Sequence, residues 1–251
     1  MCFWGEAFAY GPNINAPMPA SDNDAAYAAM PCAHELRANA TPLEQAFIEA
    51  LQTRYARTAP QDRSRLDPAF ADAMARAADR FSDNDLMQIL AAEAAMDTQP
   101  WDYWQAGGRE PKGRAGDAIR RVETVLARSP DNSGAIHLHI HLAEASTDPW
   151  RSEAAADRLG RTAPQAGHLV HMPGHIYYRV GRFRDSIRPN IEAVEADVRF
   201  IANPDPPPMY RYGYYPHIVH FVLTSAAMGG DARTALEYAD KLEEAVPIEM
   251  A

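Results

Sequence analysis

The stretch Gly167-His-Leu-Val-His-Met-Pro-Gly-His-Ile-Tyr-Tyr-Arg-Val-Gly181 decides how the rest of the chain is interpreted. Its glycines and Tyr177, with the small and apolar residues that follow, have the spacing of one helix–turn–helix unit of about 34 residues. The same stretch places His168, His171 and His175 at positions i, i+3 and i+7, which lie along one side of a helix. It therefore predicts a helical repeat and a row of imidazole groups together.

Prolines elsewhere in the chain support the same period. Pro130 and Pro164 each follow a predicted helix and are 34 residues apart. Pro247 follows the last predicted helix, 83 residues after Pro164, a distance that fits two periods plus an insertion near 203–213. No segment has the regular alternation of polar and apolar residues that is typical of a strand. We therefore expect an all-α fold, an α-solenoid of antiparallel helix pairs.

The beginning of the chain follows the period less clearly. We predict one helical-repeat domain over residues 1–251, with degenerate repeats in 1–66 and clearer ones in 67–251. A second insertion, near 98–114, contains two tryptophans, adjacent glycines and two prolines. Thr41-Pro-Leu-Glu44 is a typical helix start, with a capping threonine, proline in the first turn and glutamate three residues after the cap.

Residues Gly174, Tyr177, Gly181, Phe183 and Ala193 resemble the pattern of the tetratricopeptide-repeat family. Weaker copies end at the prolines described above, and every copy lacks the tryptophan expected at its fourth place. The start of the chain, Cys-Phe-Trp-Gly-Glu-Ala, together with the histidine stretch, is similar to a group of bacterial proteins within that family. The resemblance implies a right-handed superhelix whose first helices line a concave groove that binds a ligand or protein partner. It implies no particular activity.

The histidines are concentrated on that groove. Seven of the nine fall on the second, fifth and ninth places of the first helix in three successive repeats: His137, His141, His168, His171, His175, His217 and His220. In the resembled family these places contact ligands. This clustering is the most specific functional signal in the sequence.

Two pairs among these histidines have the spacing of metal ligands. His137 with His141, and His171 with His175, are i, i+4 pairs that can each present two imidazoles to one ion. We expect these four residues to bind a transition metal, Zn(II) first, with Cu, Fe or Mn as alternatives. Pro173 leaves one question open, because a helix that begins late at this proline would weaken the second pair. A neutral polar network, or direct binding of an acidic peptide, is the alternative for the whole cluster.

Other residues along the same side are candidates for substrate chemistry. Glu144, one turn beyond His141, is a candidate general base, fourth ligand or partner of a ligating histidine. Tyr178 and Arg179 continue the row and can bind an anionic substrate. We assign His168, His217 and His220 to ligand binding. If the protein is an enzyme, hydrolysis by metal-activated water is the first reaction to test.

The amino-acid composition limits the classes of partner that the protein is expected to bind. The net charge of -10, with no run of Lys or Arg, argues against nucleic acid. No apolar run is long enough for a membrane helix, so we expect a soluble protein of the bacterial cytoplasm or periplasm. Its expected partner is a small-molecule or peptide ligand in the groove, or another protein. The alternative function is a peptide-binding scaffold without metal.

Overall fold

The computed structural model describes residues 1–246, and this part of the chain is all-helical. Its strand-type pairings are isolated bridges, between Asn13 and Ala16 and between Trp104 and Pro111. Within the described residues, no helix has the length and apolar character needed to cross a bilayer. The chain forms two compact units, Met1–Arg128 and Ser129–Ala251. A single repeat domain over the whole chain stays a prediction.

The first unit is a series of helices in which each packs against the next. They are α1 Cys2–Ala9, α2 Asn23–Glu35, α3 Pro42–Leu51, α4 Leu66–Arg80, α5 Asp85–Asp97 and α6 Ala115–Arg128. Helix α2 contains Pro31 and continues through it. The core contains mainly alanines with a few large side chains such as Phe47, Leu51 and Met74, so the helices approach closely.

The helix starts in this unit follow from local hydrogen bonds. Thr41 and Glu44 form the predicted capping box at the start of α3, and the side chain of Asn84 accepts from the backbone N–H of Met87 at the start of α5. Helix α3 ends at Leu51. The backbone turns there, and the N–H of Thr53 donates to the carbonyl of Ala50 in a tighter i−3 bond.

The second unit contains the histidine-rich helices. They are α7 Ser133–Glu144, α8 Glu153–Leu159, α9 Gly167–His171, α10 Pro173–Arg179, α11 Phe183–Ile201, α12 Tyr215–Gly229 and α13 Ala232–Ala245. A 3-10 turn, Pro149–Ser152, leads directly into α8. The predicted insertion near 203–213 ends in a π-helical turn, Tyr210–Tyr214. Pro247, predicted to close the last helix, lies outside the described residues.

Pro173 divides the histidine stretch into α9 and α10 without changing its direction. Met172, between the two helices, keeps right-handed helical angles (φ -52°, ψ -38°). The N–H of His175 donates to the carbonyl of Met172, so the chain stays on a helical path across the proline. His171 and His175 consequently remain one turn apart on the same side.

Gly174 allows α11 to lie directly against α10. A Cβ at this position would be 2.4 Å from Nδ2 of Asn190 and 3.2 Å from Oγ of Ser186. Both of these side chains are fully buried and hydrogen-bonded to each other or to nearby carbonyls, so neither can move away freely. The glycine therefore fixes the distance between the two helices.

We predict that Gly174→Ala lowers the free energy of unfolding by about 1–3 kcal/mol, because the added methyl group overpacks this contact. Urea denaturation measures the change. Gly160→Ala is the matched control, since a Cβ at Gly160 meets no atom within 4 Å. Equal stability of the two variants would contradict this account of the helix contact.

Candidate metal centre

Six histidines of the second unit form two groups of three. Within residues 1–246, the groups able to hold an ion are His137, His141 and His168, and His171, His175 and His217. We call them triad A and triad B, in that order. The candidate ligand atoms of each triad lie within 4.8 Å of one another.

The Nε2 atoms make the closest approaches in both triads. In triad A, Nε2 of His137 is 3.0 Å from Nε2 of His141 and 3.0 Å from Nε2 of His168. In triad B, Nε2 of His171 is 2.8 Å from that of His175 and 3.1 Å from that of His217. Two imidazole ligands at about 2.0–2.1 Å from a tetrahedral ion have nitrogens about 3.3 Å apart, so these separations need only small adjustments.

Glu144 connects the two triads. Its Oε1 is 3.3 Å from Nδ1 of His141, and its Oε2 is 2.6 Å from Nδ1 of His175. Burial alone would raise the pKa of Glu144, but the neighbouring His175 and His141 outweigh it and lower the pKa below its ordinary value. The carboxylate is therefore ionised and only accepts hydrogen bonds, so both Nδ1 atoms carry the proton.

Asn190 of α11 fixes the proton of a third ring, that of His171, on Nδ1. Its Nδ2 donates to the backbone carbonyl of Ser186 at 2.6 Å, which orients the amide. Its Oδ1 then faces Nδ1 of His171, which donates to it. The close approach at Gly174 brings Asn190 to this position.

These three hydrogen bonds determine which nitrogen of each ring is open. With protons on Nδ1, the Nε2 atoms of His171 and His175 present lone pairs to each other at 2.8 Å. Two acceptors at this distance repel unless a proton or a metal ion lies between them. Burial first and the charge of His175 second lower the pKa of His171 well below its ordinary value, so His171 is neutral and its Nε2 accepts. A metal ion between the two rings would satisfy both lone pairs.

The pKa values of four other histidines in the triads are also lowered. Burial, followed by the charges of neighbouring histidines, lowers the pKa of His168 to about 3 and that of His217 to about 4. Burial is also the largest cause that lowers the pKa of His137 and of His141. Neutral imidazole is the form that binds metal.

The structure distributes the four predicted metal ligands over both triads. His137 and His141 belong to triad A, and His171 and His175 belong to triad B. His168 and His217, which we assigned to ligand binding, supply the third nitrogen of triad A and triad B respectively. Sequence spacing alone could not divide the six histidines into two groups, because the division depends on how α7, α9, α10 and α12 approach each other.

The remaining candidates lie outside the triads. His220 is exposed one turn beyond His217 and affects the pKa of that ring through its charge. The ring of Tyr178 packs against Phe183 and Phe221. Arg179 is exposed, and its Nη2 is 3.5 Å from the carbonyl of Ser146. His139 of α7 belongs to neither triad and is buried, with Nδ1 3.0 Å from Oγ of Ser152.

Two residues that sequence reasoning missed contribute to the site. Asn190 orients His171, and the ring of Phe221 packs against the rings of triad B at 4.5–5.1 Å between centroids. Asn190 lies on α11, which contains no histidine. Phe221 lies four residues after His217 on α12, and this i, i+4 relation is the one signal that pointed to it.

The depressed histidine pKa values predict that metal-free protein loses stability in mild acid. A folded-state pKa below the unfolded value of about 6.5 means that the unfolded chain binds more protons, so the free energy of unfolding falls as the pH falls below 6.5. For His168 the loss reaches about 2 kcal/mol at pH 5. Chemical denaturation at pH 7 and pH 5, in the presence of a chelator, measures it. His168→Gln should reduce the difference between the two pH values; an equal pH dependence in the parent and in this variant would contradict the account.

Comparison with known proteins adds no assignment to this geometry. No family model matches the chain, and no curated protein matches it. The function therefore has to be argued from the triads and the residues that hold them.

Proposed function

We propose that the second unit is a metal-binding module that holds two transition-metal ions, one in each histidine triad. This proposal rests on the distance of 2.8 Å between Nε2 of His171 and Nε2 of His175. The Nδ1 atoms of these two rings donate to Asn190 and Glu144 respectively. Nε2 of His217, 3.1 Å from Nε2 of His171, is the third nitrogen of the same group. Triad A has the same arrangement of Nε2 atoms, and its His141 is held by the same carboxylate.

Both triads supply three imidazole nitrogens and no thiolate or carboxylate. This donor set suits Zn(II), and also Cu, Fe or Ni, better than Mg(II) or Ca(II), which prefer oxygen. Three protein ligands leave one position of a tetrahedral ion open, the arrangement of catalytic rather than structural zinc sites. The open position supports binding of water or a substrate.

The two ions would act in one site. The rings of His141 and His175 have centroids 5.9 Å apart, and those of His168 and His171 are 6.2 Å apart. Glu144 lies between the triads, with one oxygen on each side. A bound ion would supply Lewis-acid activation of a coordinated oxygen, and hydrolysis is the first reaction class to test.

Glu144 is better suited to positioning than to proton transfer. Both oxygens are occupied by His141 and His175, and its lowered pKa makes it a weak base. We therefore replace the general-base role expected from the sequence with an orienting role for two ligands.

Tyr178 and Arg179 remain candidates for substrate binding, and the exposed edge at His217 is the side from which a ligand would enter.

The fold proposed for this module is a tetratricopeptide-like solenoid. The sequential packing of the helices and the 34-residue spacing of Pro130 and Pro164 support it. In such a superhelix α7, α9 with α10, and α12 would be the first helices of successive repeats. The alternative is a peptide-binding scaffold in which the histidines form a polar network without metal.

We predict that protein purified without an affinity tag and loaded with Zn(II) binds two ions per chain. His137→Ala should remove one ion and His217→Ala the other, and the double variant should bind none, because each triad then has only two ligands. His220→Ala is the control and should keep both. Elemental analysis after dialysis, with isothermal titration of metal-free protein, measures the ratio. Fewer than two bound ions in the parent would overturn the two-ion proposal, and none would favour the scaffold.

We also predict that Glu144→Gln weakens metal binding about 10- to 100-fold at one or both triads. The amide has one acceptor oxygen instead of two, so it cannot hold both His141 and His175 with Nδ1 donating. Competition with a chromophoric chelator measures the dissociation constants. Glu123→Gln, an acidic residue of α6 in the first unit, should leave them unchanged. Unaltered affinities in Glu144→Gln would mean that the carboxylate does not orient the ligands.

A further inference from the structure

The first unit contains a cleft that the metal centre does not explain. Its volume is about 750 Å³, within the range of small-molecule sites. The loop 12–20, the segment 59–64 and the ends of α2, α4 and α5 line it. Prolines, Ile14 and Met18 supply apolar walls, and Trp101 lies at one edge.

Two residues that line this cleft, Asn23 and Asp97, each have a buried acceptor atom without a hydrogen-bond partner. Asn23 is 1% exposed, and its Nδ2 donates to the carbonyl of Ala56, while its Oδ1 accepts nothing. The side chain of Asp97 is 5% exposed, and its Oδ2 is 3.5 Å from Nη2 of Arg54, while its Oδ1 accepts nothing. Unsatisfied buried acceptors are costly, so each is an opening for a hydrogen-bond donor.

The charge around the cleft favours a cation as that donor. Asp62, Asp67 and Asp97 line it, and Arg63 is the one basic side chain in the lining. Arg63 is already engaged, since its Nε is 2.8 Å from Asp67 and its Nη2 donates to the carbonyl of Arg54. Burial, and then the charge of Glu93, raise the pKa of Asp97 well above its ordinary value, as expected for a carboxylate without sufficient compensation.

Trp101 adds an aromatic surface in an unusual conformation. Its φ is 64°, the one positive φ at a residue other than glycine among residues 1–246, and its side chain is half exposed. A bulky side chain in this region is strained, and such strain is concentrated at functional sites. The face of an indole attracts organic cations.

We propose that this cleft binds a small organic cation that carries N–H donors and an apolar chain, such as a primary ammonium compound. The ammonium group donates to Oδ1 of Asp97 and Oδ1 of Asn23. The apolar chain lies against the prolines and Met18, and the indole of Trp101 covers the charged end. The site is independent of the histidine triads.

The test compares four probes with the same six-carbon chain on the full-length protein. Isothermal titration with hexylamine, hexanol, hexyltrimethylammonium and hexanoate separates the contributions of charge and of the N–H donors. We expect hexylamine to bind at least about tenfold more tightly than hexanol and hexyltrimethylammonium, and hexanoate not to bind. Equal binding of amine and alcohol, or no binding of hexylamine at millimolar concentration, would overturn the proposal and leave water as the partner of both acceptors.

Two variants locate the binding. Asp97→Asn should abolish the preference for amine over alcohol. Trp101→Gly should weaken hexylamine binding several-fold without loss of thermal stability, because glycine adopts a positive φ without strain. Trp150→Gly, an exposed tryptophan of the second unit, is the control and should bind hexylamine as the parent does. If Asp97→Asn does not fold, Trp101→Gly still decides, since unchanged affinity in that variant contradicts the proposed position of the cation.

Discussion

The pair of hydrogen bonds from His141 and His175 to the carboxylate of Glu144 is the interaction on which the site depends. An ionised carboxylate can only accept, so it fixes the proton of each ring on Nδ1 and turns each Nε2 lone pair toward its triad. One side chain thereby sets the tautomer of a ligand in both groups. Without it the rings could exchange protons through Nε2 and satisfy one another as an ordinary polar network.

Packing places the remaining ligands around this pair. Gly174 lets α11 approach α10, which brings the amide of Asn190 to His171. Phe221 of α12 covers the rings of triad B and keeps water from that side. Burial then lowers the pKa of His168, His171 and His217, so these three rings stay neutral at a pH at which a free histidine begins to take up protons.

Much of this was accessible from the sequence. Helical periodicity and the Thr41 capping box follow from local rules, and the structure has both. The spacing of the histidines predicted which residues come together, and the structure brings six of them into two groups. The division into two triads could not be read from spacing, because it depends on distances between helices. Asn190 and the bridging geometry of Glu144 depend on contacts 19 and 31 residues apart in sequence, which no local pattern encodes.

The measurement that tests the central claim most directly is a crystal structure of Zn(II)-loaded protein with anomalous diffraction recorded on both sides of the zinc absorption edge. The account predicts two anomalous peaks per chain, one bound to Nε2 of His137, His141 and His168 and the other to Nε2 of His171, His175 and His217. Glu144 should still accept from both Nδ1 atoms. A single ion shared by His137, His141, His171 and His175, or no ion among the histidines, would contradict it.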